Sequence, residues 1–569
     1  MSIKIHYDRC FWAAISCACL GYGLLLIPNY DDGNAYFFNL YNTVGLHHPF
    51  YNDLYGQYFH FMKPATLLYS LLLSVAGTIN YRILALVQGA ELLLCLRLFY
   101  LCALRYASKE AAQAGACVSL YLLAAQWAFT PLRPETTVLL CCLAIFWLCE
   151  RFKETRGPAY LAGASALAFL VAIPMHTCGA IPCIYLLLFV VASRKQLSRR
   201  ALIALGALSC AFALAGAAIL IYPGISSFAE SLALLSLDGN RFSGLPGEYA
   251  RVRDFVFKPI FFPLLLFIAT IFLASLARAY KDIRLYSLKQ YYPIALFFGA
   301  VVIGLGVLPS ATWEVYMVYY YLPLIVGFSA AFDAYARRGG SLALLRLALV
   351  PAGALAFWWC THSPRPLLYA ALSAAGFYLA AAFARRMPAA RMTVLVVAPV
   401  LLYQAMFMVS TKIIFERADQ KIKEAGGLVL ASARFSFSGD NVVSVDGNWC
   451  GAKTQILPGA GGTAVVDFHS VAQEKAAQIG KHRLVRLFGP AGHEQHKPAG
   501  ISRRAIGPTF YGLSNDSCNT TVFLKSQDTP LRYTIVKKTP LSSEGLDTYA
   551  SLVIRGLVFV EYSLSEPAP

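Results

Sequence analysis

Asp31 and Asp32 stand side by side in the stretch Pro28-Asn29-Tyr30-Asp31-Asp32-Gly33-Asn34-Ala35-Tyr36, directly after an apolar run. Adjacent carboxylates repel, so one of the pair binds its proton more tightly and can act as a base near neutral pH. The same residues favour a solvated turn, and the pair alone leaves both readings open. The loop that follows carries Tyr36, Tyr41, His47, His48, Tyr51, Asp53, Tyr55, Tyr58 and His60. Such aromatics line a sugar subsite or anchor at a membrane interface. Adjacent histidines such as His47 and His48 point different ways, and spacing supplies no third ligand, so no metal set is specified. Lys63-Pro64 closes the loop; its ammonium either meets a lipid phosphate or snorkels to the headgroups.

Two very short turns hold further candidates. In Arg133-Pro134-Glu135, Pro134 and Glu135 suit the first turn of a helix, and Arg133 can face an anion. In Met175-His176-Thr177-Cys178-Gly179, His176 is a proton carrier, a phosphate contact or a turn residue. A second long loop carries Arg241, Glu248, Tyr249, Arg251 and Arg253, a basic character that suits an anionic lipid ligand or an ordinary surface.

The elements that position these residues follow from composition. Of 569 residues, 58% are hydrophobic and 14% charged, with a mean hydropathy of +0.56. Soluble domains carry about 25% charged residues, so solubility of the whole chain is excluded, as are disorder, collagen and coiled coil. The apolar stretches are continuous rather than alternating, which excludes a transmembrane β-barrel. The expected fold class is a polytopic α-helical membrane protein with a C-terminal soluble α/β domain. About thirteen spanning runs are expected, near 11–28, 80–104, 111–129, 135–150, 158–174, 179–193, 201–222, 259–277, 292–308, 318–335, 342–360, 366–384 and 391–410. The chain divides near residue 411, giving a membrane domain over 1–410 and a polar domain over 411–569 with strand-like runs at Val442–Val445, Val465–Phe468 and Leu552–Glu561.

Residues 61–77 are apolar enough to span. If they do not, and the N-terminus is cytoplasmic, the basic clusters after 105, 150, 194, 278, 336 and 385 all face the cytoplasm. Residues 61–77 are therefore expected to form a re-entrant or interfacial helix on the outer side. The loops 29–79 and 223–258, the short turns and the C-terminal domain then share the outer face. The net charge of +18 reflects these cytoplasmic loops, and no nucleic-acid partner is expected. Of 15 cysteines, only Cys450 and Cys518 lie in the polar part. On an oxidising face they are candidates for a disulfide, or two unpaired thiols.

An acidic pair after the first helix, Phe61-Met62-Lys63-Pro64 before an apolar stretch ending at Gly77, Tyr81-Arg82 at the next helix, and outer Arg-Pro-Glu and Met-His-x-x-Gly turns occur in order. This pattern resembles the glycosyltransferase-C superfamily of membrane enzymes, nearest its aminoarabinose lipid A transferase and protein O-mannosyltransferase branch. The resemblance implies a polyprenyl-phosphate sugar donor used on the outer face. It implies that Asp31 and Asp32 match the family's acidic pair, which serves as base or positions the acceptor. It implies that Lys63 faces the lipid phosphate. Read from the residues themselves, Arg133, His176 and Arg241 are the further candidates for phosphate contacts, and Tyr36, His60 and Glu135 those for the substrate loop. Pro64 is followed by Ala65 where the family has a second proline.

The chemistry is coherent: basic groups neutralise a leaving phosphate, a carboxylate takes a proton from an acceptor hydroxyl, and a single displacement inverts the anomeric centre. The acceptor is a glycan, lipid or protein of the envelope, and membrane lipids are partners. No cofactor is certain, and a divalent metal stays open. The expected location is a bacterial inner membrane, multi-pass, with a cytoplasmic N-terminus and a periplasmic C-terminal domain. The rival readings are a transporter or flippase of lipid-linked sugars and an outer-face glycan polymerase or ligase. Against transport, intramembrane charges are few, Glu91 and Arg97 being the main ones.

Overall fold

A computed structural model describes residues 11–21, 51–52, 57–58, 60–76, 81–127, 134–237, 288–307, 314–337, 389–432, 442–445, 455–458, 464–467, 503–506, 509–515, 522–524, 531–547 and 556–565. The expected runs 259–277, 342–360 and 366–384 lie outside these residues, as do Asp31, Asp32, Tyr36, Arg133, Arg241, Cys450 and Cys518.

The described helices are α1 (Phe11–Gly21), α2 (Lys63–Ala76), α3 (Tyr81–Ala103), α4 (Lys109–Trp127), α5 (Pro134–Thr155), α6 (Pro158–Met175), α7 (Ala180–Ser193), α8 (Arg199–Ile221), α9 (Ile225–Leu237), α10 (Leu288–Val307), α11 (Tyr321–Arg337) and α12 (Ala389–Glu424). A 3₁₀ turn, Thr177–Gly179, joins α6 to α7, and another, Glu314–Tyr320, leads into α11. Among the described residues, four stretches are long and apolar enough to cross a membrane: Leu86–Ala103, Pro158–Met175, Thr177–Gln196 and Arg199–Ile221. Helix α2 has 14 residues, about 21 Å of rise, against a hydrocarbon core about 30 Å thick. It buries Lys63, Ala65, Thr66, Tyr69 and Leu73 on one face and exposes Leu67, Leu68, Leu71 and Val75 on the other.

Helix α3 packs on α4 and α5, α5 on α6, α6 on α8, and α7 on α10, while α11 and α12 both lie on α4. Small residues permit close approach. A Cβ on Gly216 of α8 would stand 2.1 Å from the Phe169 carbonyl oxygen of α6. Phe169 lies in a π-helical stretch, Leu167–Ala172. Pro174, just beyond it, has no N–H to continue the regular ladder. Ser198 starts α8 by accepting the Ala201 N–H, 3.1 Å away.

Glu91 and Arg97 of α3 are held by different neighbours. Thr137 of α5 donates to Glu91 at 3.0 Å, and Arg97 lies over the rings of Trp12 and Tyr100, 4.7 and 5.2 Å from their centroids.

Helix α12 is continuous for 36 residues and crosses the boundary expected near 411. Its last turns place Ile414, Ala418 and Ile422 against Val429, Leu513, Leu557 and Phe559. Short pairs β1 (Tyr51–Asn52) and β2 (Gln57–Tyr58) precede α2. Strands β3 (Val429–Ser432), β4 (Val442–Val445), β5 (Gln455–Pro458), β6 (Ala464–Asp467), β7 (Arg503–Ile506), β8 (Thr509–Asn515), β9 (Val522–Leu524), β10 (Leu531–Pro540) and β11 (Leu557–Ser565) follow α12. They form a mixed sheet in the order β4-β3-β8-β11-β10-β9, with β3 parallel to β4 and β8, and an antiparallel sheet β5-β6-β7.

The Gly216 contact generates a test. Gly216→Ala should destabilise the protein by about 1–3 kcal/mol, the cost of overpacking. Gly206→Ala on the same helix, where nothing lies within 4 Å of the added Cβ, should be neutral or gain up to about 1 kcal/mol from helix propensity. Thermal unfolding in detergent measures both; equal behaviour of the two variants contradicts the packing described.

Candidate functional site

The segment His60-Phe61-Met62-Lys63 enters α2 and meets three other segments. Met62 has φ of 63°, the left-handed region that a side-chain-bearing residue rarely adopts. Its N–H donates to the Met175 carbonyl at 2.9 Å, and its own carbonyl accepts the Thr66 N–H at 2.8 Å. Those two bonds hold the strained residue in place.

Lys63 is buried at the end of α8. Its Nζ donates to the carbonyl oxygens of Ile219 at 2.7 Å, Leu220 at 3.0 Å and Tyr222. The last carbonyls of a helix lack intrahelical partners and form its negative pole. An ammonium with three donors matches that pole. Burial pushes the Lys63 pKa down to about 8, while the three carbonyls favour the charged form, so the group is a cation at neutral pH on either account. Its Nζ also sits 5.8 Å from the centre of the Tyr222 ring.

His60 is buried beside it and shares the Leu220 carbonyl. Nδ1 lies 2.8 Å from that oxygen, which can only accept, so Nδ1 carries the proton. Nε2 then accepts the Ser227 hydroxyl at 2.7 Å. Burial pushes the His60 pKa down to about 4, and the Lys63 charge adds to that, whereas its hydrogen bonds and Glu230 act the other way. The ring of Phe228 packs edge-on at 5.4 Å.

The turn after α6 lies next to the head of α2. His176 Nδ1 accepts the Cys178 N–H at 3.2 Å, which leaves the neutral ring's proton on Nε2. The imidazole stacks on Tyr316 at 5.8 Å and lies 6.4 Å from Phe61. Glu135 is buried in the first turn of α5, where a carboxylate suits the positive pole. Among the described residues, no group of three or more His, Cys, Asp or Glu is arranged to hold a metal ion.

The bundle's two ends are chemically distinct. The end just described gathers α2's head, α5's start, the α6–α7 turn, α8's end, α9's start and the 314–320 turn. The opposite ends of α3, α5 and α7 carry another set: Arg105 paired with Glu154, Lys153 with Glu150 at 3.3 Å, Tyr106 stacked on Tyr291 at 5.3 Å, and Ser193 3.4 Å from Tyr292.

No family model matches the chain, and no curated protein matches it. Among solved structures, ArnT from Cupriavidus metallidurans, bound to undecaprenyl phosphate, is similar with a TM-score of 0.57 at 10% identity, over 98% of this chain and 98% of that one. The chain shares the fold of that structure. The arabinosyltransferase EmbB from Mycobacterium smegmatis is similar at TM-score 0.48 and 15% identity, over 70% of this chain and 40% of that one. The Archaeoglobus fulgidus oligosaccharyltransferase, in complex with Zn and sulfate, gives 0.39 and 13%, over 74% and 60%.

Within this fold, the structure brings four expected residues to one end: His60, Lys63, Glu135 and His176. Lys63 and His60 prove to be engaged with α8 and α9. Ser227, Tyr222 and Tyr316 were not singled out by sequence. The tyrosine-rich run Val315-Tyr316-Met317-Val318-Tyr319-Tyr320-Tyr321 was the available signal for Tyr316; Ser227 in an apolar helix gave none.

His60 generates a pH prediction. Above the ordinary value of 6.5 both folded and unfolded histidine are neutral, and His60 adds no pH dependence. Between pH 6.5 and about 4 the unfolded chain takes up the proton first, so stability falls on acidification. The loss is up to about 3 kcal/mol. His60→Gln should flatten the fall in melting temperature across that window; an unchanged slope contradicts the assignment.

Proposed function

We propose that this chain is a glycosyltransferase that moves a sugar from a polyprenyl-phosphate donor to an envelope glycan, lipid or protein acceptor, with inversion. The observation that carries this reading is the likeness along 98% of both chains to a protein whose structure holds undecaprenyl phosphate. The gathering of loop segments with basic and aromatic side chains at one end of the bundle supports it.

The proposed architecture is about thirteen spans with α2 lying at the outer boundary. A soluble outer-face domain begins after the membrane segment of α12, within the expected 411–569. The proposed location is a bacterial inner membrane with a cytoplasmic N-terminus. The gathered end is then the outer face, and the Arg105–Glu154 end the cytoplasmic face, in keeping with the positive-inside rule.

In the proposed reaction Asp31 or Asp32 takes the proton of the acceptor hydroxyl as its oxygen attacks the anomeric carbon. The bond from that carbon to the phosphate oxygen breaks, and polyprenyl phosphate leaves with its negative charge. Arg133, His176 and Arg241 are the proposed contacts of that phosphate, His176 through its Nε2–H. Lys63 adds positive charge to this end while its N–H groups hold α8. Tyr36, His60 and Glu135 belong to the substrate loop and its frame. Cys450 and Cys518 are the proposed disulfide pair of the outer domain.

The test uses purified protein in nanodiscs with a panel of polyprenyl-phosphate sugars and an envelope extract as acceptor. Wild type should release polyprenyl phosphate from one donor, and one of Asp31→Asn and Asp32→Asn should lose at least about 100-fold in rate, the scale of general-base catalysis. No release from any donor, with the extract present, contradicts the reading.

A further inference from the structure

The cations at the Arg105–Glu154 end of the bundle divide into two groups. Arg105 and Arg151 pair with Glu154, and Lys153 pairs with Glu150. Arg156, Arg194, Lys195, Arg199 and Arg200 are exposed, and among the described residues none of them has an acidic partner. The sequence omits acids along this stretch: no Asp or Glu occurs between Glu154 and Glu230.

Contacts between the helices bring the five cations to one corner. Tyr292 of α10 lies 3.4 Å from Ser193 at the end of α7, and the Lys153 ammonium of α5 lies 5.0 Å from the centre of its ring. Arg194 and Arg156, just beyond, therefore leave neighbouring helix ends. Ser165 of α6 and Ser209 of α8 share a hydrogen bond of 2.9 Å, and Gly216 meets Phe169 further along, so these two helices run the same way. Their first residues, Pro158 and Arg199, stand about 10 and 15 Å back from that bond at 1.5 Å per residue. Arg199 and Arg200 thus lie close to the level of Arg156.

Arg156 itself has φ of 59°, the left-handed conformation that favours glycine at a helix end, although Gly157 is the next residue. Its N–H closes α5 on the Phe152 carbonyl at 2.8 Å. A strained residue with an exposed guanidinium and no acidic partner points to a ligand outside the chain. Next to the cations, α7 exposes Leu187 and Val191, and α8 exposes Ile203 and Leu214, on two stretches long and apolar enough to cross a membrane. The cations stand where acyl chains give way to headgroups.

We propose that Arg156, Arg194, Lys195, Arg199 and Arg200 form a binding site for the phosphate headgroup of an anionic phospholipid, whose acyl chains lie along the apolar faces of α7 and α8. Charge complementarity names this occupant, since the membrane supplies the anions that the chain omits. The orientation rule for basic loops accounts for cations on one side of a membrane. It does not account for an arginine in a strained turn, nor for a stretch without acidic residues. The site is independent of the transferase reading and lies at the end of the bundle away from His176.

The experiment uses the full chain purified in a neutral detergent. Binding of single phosphatidylglycerol and phosphatidylcholine molecules is read by native mass spectrometry, and thermal unfolding is read without added lipid. Wild type should bind phosphatidylglycerol at least about tenfold more tightly than phosphatidylcholine. Each cation is worth about fivefold. Arg156→Gly should therefore lose about fivefold in phosphatidylglycerol affinity, and Arg199→Gln/Arg200→Gln at least about tenfold, with phosphatidylcholine binding unchanged. Arg156→Gly should melt no lower than wild type, because glycine adopts the left-handed turn freely. Arg151→Gln, which removes a cation paired with Glu154 at 2.8 Å, should stay within about twofold. Equal binding of the two lipids by wild type overturns the site, as does full phosphatidylglycerol affinity in Arg156→Gly or in the double variant. A loss in Arg151→Gln as large as in Arg156→Gly reduces the effect to general charge and overturns it too. A lower melting temperature of Arg156→Gly overturns the reading of its strained turn.

Discussion

The ammonium of Lys63 seated among the last carbonyls of α8 is the constraint on which this end of the molecule depends. A buried lysine is costly unless its charge is matched, and here the match is a helix pole whose oxygens have no other helical partner. The contact spans 156 residues to Ile219. It binds the segment entering α2 to the end of α8, and every neighbouring interaction inherits that arrangement. His60 shares the Leu220 carbonyl, Met62 takes a left-handed turn to reach Met175, and Phe61 is brought alongside His176.

The bundle that carries this contact has two chemically distinct ends. The helices α5, α6, α7 and α8 run up and down between them, so basic and acidic pairs such as Arg105 and Glu154 collect at one end. The imidazoles of His60 and His176 sit at the other, beside Phe228, Phe61 and Tyr316. Close helix contacts such as Gly216 on Phe169 fix the spacing between helices and thereby the relative height of the turns. A chain with this fold can vary its loops while the frame that carries them stays unchanged.

The frame was largely legible in the sequence, because continuous apolar runs and Pro or Ser at helix starts are local signals. The run expected over 201–222 is α8 at Arg199–Ile221, and that over 135–150 is the core of α5. Strand Val442–Val445 was read with its own bounds. The split near 411 fell inside α12, since the helix goes on as a polar, charged segment. Its apolar stripe of Ile414, Ala418 and Ile422, at a spacing of four, was a signal that went unused. The site was less legible. Lys63 was expected to face a lipid phosphate, and the backbone carbonyls it bonds leave no mark in sequence. Ser227 gave no signal for the same reason: its meaning depends on a histidine far along the chain. Asp31 and Asp32 lie outside the described residues, and their role stands as a proposal.

The central claim is that the end organised by Lys63 is where a lipid phosphate is bound. The most direct measurement is a cryo-EM structure of the full chain in nanodiscs with a polyprenyl phosphate added. The account predicts phosphate density at the head of α2, beside His176 and Tyr316. Phosphate density at the opposite end, beside Arg105 and Glu154, would contradict it.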